Sequence, residues 1–265
     1  MQKLPSTRSR PASSYRVEAL AKGLRILTAF SEAHSTLTLS ELAEITGLPM
    51  PTAFRMAATL EETGYLERLP SGGYRPGLRV LTLGHASLQG SDLVQLSEAS
   101  LRALADLTSQ TVNLAVLVDN QILYLVRLRK SDLVTANIHV GSTLPAAYSS
   151  LGKVLLAELD SDEVERRIGV TGLPQHGGPN AVPSIQALAL QLTKVRRQGF
   201  AIQDQEVAHG LRSIAAPVHN GQNKAIASVN IAVKATDFTV AAILQELKEP
   251  LIATARELSQ RLGCR

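Results

Sequence analysis

Apolar residues recur at helical spacing twice in quick succession in the stretch LTLSELAEITGLPMPTAFRMAATLEETGYLERLPSGGYRPGLR, residues 37–79, before the pattern turns extended around glycines. Thr38 and Glu41 stand at capping-box spacing, and Leu42, Ala43 and Ile45 supply the apolar side of a short helix that Gly47 can end in the left-handed region. This predicts a helix over 39–46. Pro51 suits the first turn of a second helix, where its missing N–H costs no hydrogen bond, and Ala53, Met56, Ala57 and Leu60 form the inward side. Residues 65–69 and 74–75 then flank Pro70-Ser71-Gly72-Gly73, the pattern of a two-stranded hairpin. Two helices about a glycine turn and a hairpin behind them predict a winged helix-turn-helix, with duplex DNA as its partner.

The outward face of the second helix carries Met50, Pro51, Thr52, Phe54, Arg55 and Thr59, toward the end that a recognition helix inserts into the major groove. Arg55 suits guanine O6 and N7, or a phosphate. Thr52 offers a hydroxyl, and Met50 and Pro51 offer apolar contacts such as a thymine methyl. On the hairpin, Arg68 and Arg75 are placed to meet phosphates. An αα-hairpin and ribbon packed on a partner protein is the competing reading of the same pattern.

Around this unit the apolar spacing continues. Val17, Leu20, Ala21, Leu24, Ile26, Leu27 and Phe30 predict a first helix over 15–30 that buttresses the helix-turn-helix. After the Pro76-Gly77 break, Leu78, Leu81, Leu83 and Leu88 predict a linker helix over 78–91 whose apolar side has no local partner, so that a second subunit would cover it. Such a dimer would read palindromic DNA. Beyond residue 92 the types mix. Helices are expected over 96–108, 149–158, 161–168, 185–198 and 240–262, with strands over 112–118, 122–127, 134–140, 200–203, 214–219 and 226–233. Helices flanking an antiparallel sheet make an α+β fold. The expected organisation is a basic arm over 1–14, a DNA-binding domain over 15–77, the linker over 78–91, and a second, α+β domain over 92–265.

Charge changes the picture in one place. Of 27 Lys and Arg and 23 Asp and Glu, residues 1–91 hold ten and seven, so most of the net charge of +4 lies in the smaller domain. Lys3, Arg8, Arg10, Arg16, Lys22 and Arg25 contribute much of it; a basic arm of this kind can neutralise phosphates, and a solvated tail is the plainer alternative. No run reaches the roughly 20 apolar residues that span a bilayer, and no signal-peptide core precedes the domain, so a cytoplasmic location is expected. Cys264, one residue from the end, excludes an internal disulfide. No cofactor or metal is expected: the six histidines, His34, His85, His139, His176, His209 and His219, show no ligand spacing. The chain also lacks G-x-S-x-G, H-E-x-x-H, a P-loop and a strand-borne G-x-G-x-x-G, which argues against an enzyme. With no Trp and 3% aromatic residues there is no stacking platform for RNA.

The segments KGLRIL (22–27), LTLSELAEITGLP (37–49), LRVLTLG (78–84), LPAAYSSLGKVLLA (144–157) and GLRSIAAPV (210–218) together resemble the IclR family of transcriptional regulators over nearly the whole chain. Asp204-Gln205-Glu206 ahead of GLRSIAAPV, and Asn230 in ASVNIAV, are similar to the branch that regulates protocatechuate, 4-hydroxybenzoate and β-ketoadipate catabolism, the PcaR, PcaU and PobR type; Tyr148 stands where that branch carries a cysteine. The resemblance implies a GAF-like effector domain, with Ser150, Leu151, Gln203, Ser213, Asn230 and Ala232 lining its pocket. Relatives that bind glyoxylate or pyruvate place Asp, Cys, Ser and Ser where this chain has Gln203, Ser213, Asn230 and Ala232, so the resemblance implies a different ligand.

Read from the residues alone, a pocket for an aromatic or dicarboxylic acid needs hydroxyl, amide and N–H donors, preferably at a helix N-terminus. Ser149 and Ser150, directly after Tyr148, occupy such a terminus, where an ordinary N-cap is the simpler role. Arg127 suits a carboxylate or a structural ion pair, and Tyr124 either covers a ligand ring or belongs to the core. The expected protein is therefore a homodimer or homotetramer that binds double-stranded palindromic operator DNA and responds to a small carboxylated aromatic effector. A DNA-binding oligomer with no small-molecule response is the alternative.

Overall fold

The structure is a computed structural model that describes residues 15–31, 34–129, 138–169 and 172–264. The expected basic arm and most of the strand expected over 134–140 lie outside these residues. The chain divides into two compact units, Met1–Ala86 and Ser87–Arg265.

In the first unit, α1 (Glu18–Thr28), α2 (Leu39–Thr46) and α3 (Met50–Glu62) enclose a small core, followed by β1 (Leu66–Arg68) and β2 (Tyr74–Pro76). Both halves of the α2 capping box form: Thr38 Oγ1 accepts from the Glu41 N–H at 3.3 Å, and the Glu41 carboxylate accepts from the Thr38 N–H at 2.7 Å. The Thr38 N–H and, at 2.8 Å, the Thr38 hydroxyl both donate to the Glu41 carboxylate and hold its carboxyl below the ordinary range. Gly47 ends α2 at φ 61°. Ala53 and Ala57 of α3 are fully buried against Ile26, Leu37, Leu42 and Leu66, with Met56 and Leu60 beside them. The helix expected over 15–30 is shorter, and Val17, Leu20 and Leu24 are exposed; only its last turns, through Ile26, Leu27 and Phe30, buttress the core. The wing has a third member that no sequence pattern marked: Leu37 pairs with Tyr74 through N–H···O bonds of 3.0 and 2.7 Å.

Helix α4 (Arg79–Gln89) runs across the boundary between the units and buries none of its side chains, leaving Leu78, Leu81 and Leu83 more than half exposed. After Gly90-Ser91, α5 (Asp92–Thr108) begins four residues earlier than its periodicity suggested.

The second unit is built on a six-stranded antiparallel sheet of β3 (Thr111–Val118), β4 (Gln121–Leu128), β5 (Thr143–Pro145), β6 (Ala201–Asp204), β7 (Leu211–His219) and β8 (Ala225–Lys234), in the order β5-β4-β3-β8-β7-β6. Helices α6 (Ser150–Ala157), α7 (Ser161–Val164, continued by a π turn over Glu165–Gly169) and α8 (Ile185–Gln198) pack on one face. Helix α5 covers the other face together with α10 (Lys248–Arg261) and the π turn over Ile243–Leu247, which joins α10 to the short, unburied α9 (Val240–Ala242). The single helix expected over 240–262 is thus interrupted. Alternation sorts the residues of each strand: Val112, Leu114, Ile214, Val229, Ile231 and Val233 face α5 and α10, and the positions between them face α6. The domains form the α+β arrangement of a winged helix-turn-helix followed by a curled sheet flanked by helices.

Candidate functional site

Each unit presents one candidate surface. On α3, Met50, Pro51, Phe54, Arg55 and Thr59 are exposed and Thr52 is half-buried, while Ala53 and Ala57 hold the opposite side in the core. An exposed Phe54, 50% accessible, beside an Arg55 that makes no ion pair among the described residues is a surface built for contact. The Thr59 hydroxyl donates to the Arg55 carbonyl at 2.9 Å, so its proton is already committed within the helix. The two arginines of the wing differ. Arg75 places its guanidinium fork on the Glu67 carboxylate through bonds of 3.0 and 2.9 Å, whereas Arg68 lies over the Tyr74 ring, 5.9 Å from its centroid. Of the two, Arg68 is therefore the wing cation that makes no ion pair among the described residues.

In the second unit the residues that the sequence singled out meet on the α6 face of the sheet, in cross-strand rows. One row runs Thr111, Ala232, Ser213, Gln203; the next runs Arg127, Asn113, Asn230, Ala215. Ser150, on the first turn of α6, reaches down to the first row, its Oγ 2.7 Å from Ser213 Oγ. Since the Ser213 hydroxyl donates to Gln203 Oε1 at 3.3 Å, Ser150 is the donor to Ser213, and the relay ends with Gln203 donating to the Leu211 carbonyl. In the second row Arg127 donates to Asn113 Oδ1 at 3.1 Å and Asn113 donates to Asn230 Oδ1 at 2.8 Å. That relay polarises Asn230, whose amide N–H groups stand at its end with no acceptor among the described residues. Ala232, next to Ser213 and two residues from Asn230, keeps this corner free of bulk.

Tyr124 and Arg127 are three residues apart, so regular alternation would put them on opposite faces. A β-bulge between the pairs Leu114–Val126 and Ala115–Tyr124 absorbs Leu125 and brings both to the α6 face. Burial raises the Tyr124 phenol to about 12, so it stays neutral. Desolvation also lowers Arg127 from its ordinary value, which its charge survives.

Three expected residues have plainer tasks. Ser149 is the N-cap of α6, accepting the Gly152 N–H at 2.8 Å. The Tyr148 hydroxyl donates to the Pro174 carbonyl at 2.7 Å and pins the loop there, and Leu151 is wholly buried in the core. Gly152 explains how close α6 lies to the preceding turn: a Cβ there would sit 2.2 Å from the Ala146 carbonyl oxygen. Sequence reading missed Thr111 and Asn113, which interior strand positions hide, and the ion pair of Lys153 with Glu206. Both residues are nearly inaccessible and their atoms approach to 2.5 Å. Burial lowers Lys153 and raises Glu206, each opposed by the charge of the other. A lysine inside the apolar run SLGKVLLA was the available signal, because a buried ammonium requires an anion.

The two surfaces together define a DNA-binding regulator with a second domain that carries a buried polar site. Comparison with known proteins agrees. Residues 85–260 match the family model described as bacterial transcriptional regulator IclR C-terminal, and residues 19–70 match the IclR helix-turn-helix domain. The chain belongs to the IclR family of DNA-binding transcriptional regulators. It is 30% identical over 247 residues to the Pca regulon regulatory protein of Pseudomonas putida, an alignment covering 92% of this chain and 84% of that one. An IclR family transcriptional regulator from Brucella abortus shares its structure at a TM-score of 0.83 and 27% identity, with 94% of each chain covered. An IclR homologue from Microbacterium hydrocarbonoxydans, crystallised in complex with 4-hydroxybenzoate, matches at a TM-score of 0.71 and 26% identity over 92% of this chain and 98% of that one. No helix among the described residues is long and apolar enough to cross a membrane.

Proposed function

We propose that this protein is a ligand-responsive regulator of a catabolic operon, binding a palindromic operator as a homodimer or homotetramer and sensing a small carboxylated aromatic compound in the α6-facing site. The observation that carries the proposal is the buried relay from Arg127 through Asn113 to Asn230. It delivers positive polarisation to an amide whose donors are uncommitted, beside a Ser150 hydroxyl that can rotate toward an acceptor. A carboxylate placed there accepts from Asn230 and Ser150 near the N-terminal end of α6. The neutral Tyr124 and the alanines of the sheet offer apolar surface to a ring. The similarity to the Pca regulon regulatory protein and to the homologue bound to 4-hydroxybenzoate supports an aromatic acid. Arg55 and its neighbours on α3 enter the major groove, Arg68 meets a phosphate, and the exposed leucines of α4 pack on a second subunit. The effector acts by binding two arrangements of the protein unequally, with α4 as the element whose setting differs between them.

Fluorescence anisotropy on the intergenic DNA beside the gene tests this, with protocatechuate, 4-hydroxybenzoate and β-ketoadipate added separately. One acid should shift the operator midpoint by about 5- to 150-fold, the usual range of such coupling. Ser150→Ala or Asn230→Ala should remove that shift and leave operator affinity in the absence of acid unchanged. Tight binding that no acid moves would overturn the sensing half of the proposal.

A further inference from the structure

A cleft in the effector unit, of about 290 Å³, is lined by none of the residues of the Ser150 and Asn230 relays described above. It opens between α8, the free edge of β6 and the helical turn that starts at Val240. Its walls are apolar where Val195, Phe200, Ile202, Val240 and Leu244 meet. At its floor lies the Lys153–Glu206 pair, and at its rim stands Lys194, which makes no ion pair among the described residues. An ammonium has three N–H donors, and the structure gives Lys153 bonds only to the two oxygens of Glu206. One donor of a side chain only 2% exposed is therefore left over at the floor of a cleft. Such a donor is costly to bury without an acceptor.

We infer that this cleft is a second ligand site, taking a small monocarboxylate with an apolar tail. Glu206 neutralises Lys153, so Lys194 leaves the cleft with a net single positive charge, which matches one carboxylate. The carboxylate bridges the remaining Lys153 donor and the Lys194 ammonium, and the tail lies along Ile202, Val240 and Leu244. The volume stands at the small end of ligand sites, which start at roughly 300 Å³, and so admits a short chain or one ring. The site has a built-in line to the first one. Lys153 is one turn beyond Ser150 on α6, and Glu206 follows the strand that holds Gln203. An occupant that pulls on the ion pair bears on the elements that position the Ser150–Ser213–Gln203 relay.

Isothermal titration of the full chain with sodium octanoate, octan-1-ol and octylamine tests the inference. Octanoate should bind saturably with one site per chain in this cleft, and octylamine should not bind. Lys194→Gln should weaken octanoate by about tenfold, as expected for loss of a charged hydrogen-bond partner. Val240→Trp should abolish binding by filling the cleft, with Leu244→Trp, at a more exposed position, as the second occluding variant should the first not fold. No saturable octanoate binding would overturn the proposal. So would equal affinity for the alcohol or the amine, or octanoate binding that both tryptophan variants leave in place.

Discussion

The helix-turn-helix unit and the effector unit use polar side chains in opposite ways. On α3 and the wing, Arg55 and Arg68 project from a scaffold whose core is built of other residues, Arg68 touching it only where it lies over the Tyr74 ring. In the effector unit the polar groups are inside, and each is held by the next: Ser150 by Ser213, Asn230 by Asn113, Lys153 by Glu206. The difference follows from the partners. Duplex DNA comes to a surface and is read by side chains that remain solvated until contact. A ligand of the second unit would have to be taken out of water, so the groups that meet it are desolvated in advance and held in place by bonds to one another. Substitution should therefore separate affinity from stability in the first unit and entangle them in the second.

The largest test lies in the buried pair. Lys153→Met leaves Glu206 buried without its cation and should cost about 3–5 kcal/mol in denaturant unfolding of the effector unit, while the double variant Lys153→Met/Glu206→Leu should recover most of that loss. A double variant as unstable as the single one would show that the pair itself, rather than the orphaned charge, holds α6 in place. Next in size, Arg55→Ala should weaken operator binding by roughly 1–3 kcal/mol in anisotropy titrations and move the unfolding midpoint hardly at all. Unchanged operator affinity would remove Arg55 from the interface and erase the contrast between the units. The smallest effect concerns the scaffold of the first unit. Thr38→Ala should destabilise it by about 1 kcal/mol through loss of the N-cap. The box also fixes a pH dependence. Because Glu41 has a folded pKa below its unfolded value of 4.5, its contribution is complete above that value and fades as pH falls through the lower folded one. Acid unfolding of the wild type should show this loss, and Glu41→Gln should flatten it.

Much of the first unit was legible because local signals and tertiary packing agree there. The capping box, Gly47 and the Ala53/Ala57 stripe are each written within one turn of the chain, and the structure places α2 over the same residues that the pattern marked. The exposed half of α1 was misread because an apolar stripe shows that something covers it without showing whether this chain does. In the effector unit the positions of β3, β4, β6, β7 and β8 were readable, but the short edge strand β5 and row membership were not. Asn113 and Thr111 become neighbours of Asn230 and Ala232 only through the β3–β8 register, a pairing across more than a hundred residues. The two π turns, at 165–169 and 243–247, likewise left no mark in the periodicity that predicted continuous helices.

The bulge at Leu125 also bears on how such a sheet can change over generations. It works as a spare letter in β4: its side chain joins Val126 on the α5 side, and excising it would restore strict alternation with Tyr124 and Arg127 still facing α6. Losing any single residue between Gln121 and Leu123 instead leaves the Tyr124-to-Arg127 segment intact and shifts only the hairpin end. Loss of Leu125, or of one residue at 121–123, can therefore straighten the strand or resize the turn while leaving Tyr124 and Arg127 on the same side, so this face of the sheet is buffered against such deletions.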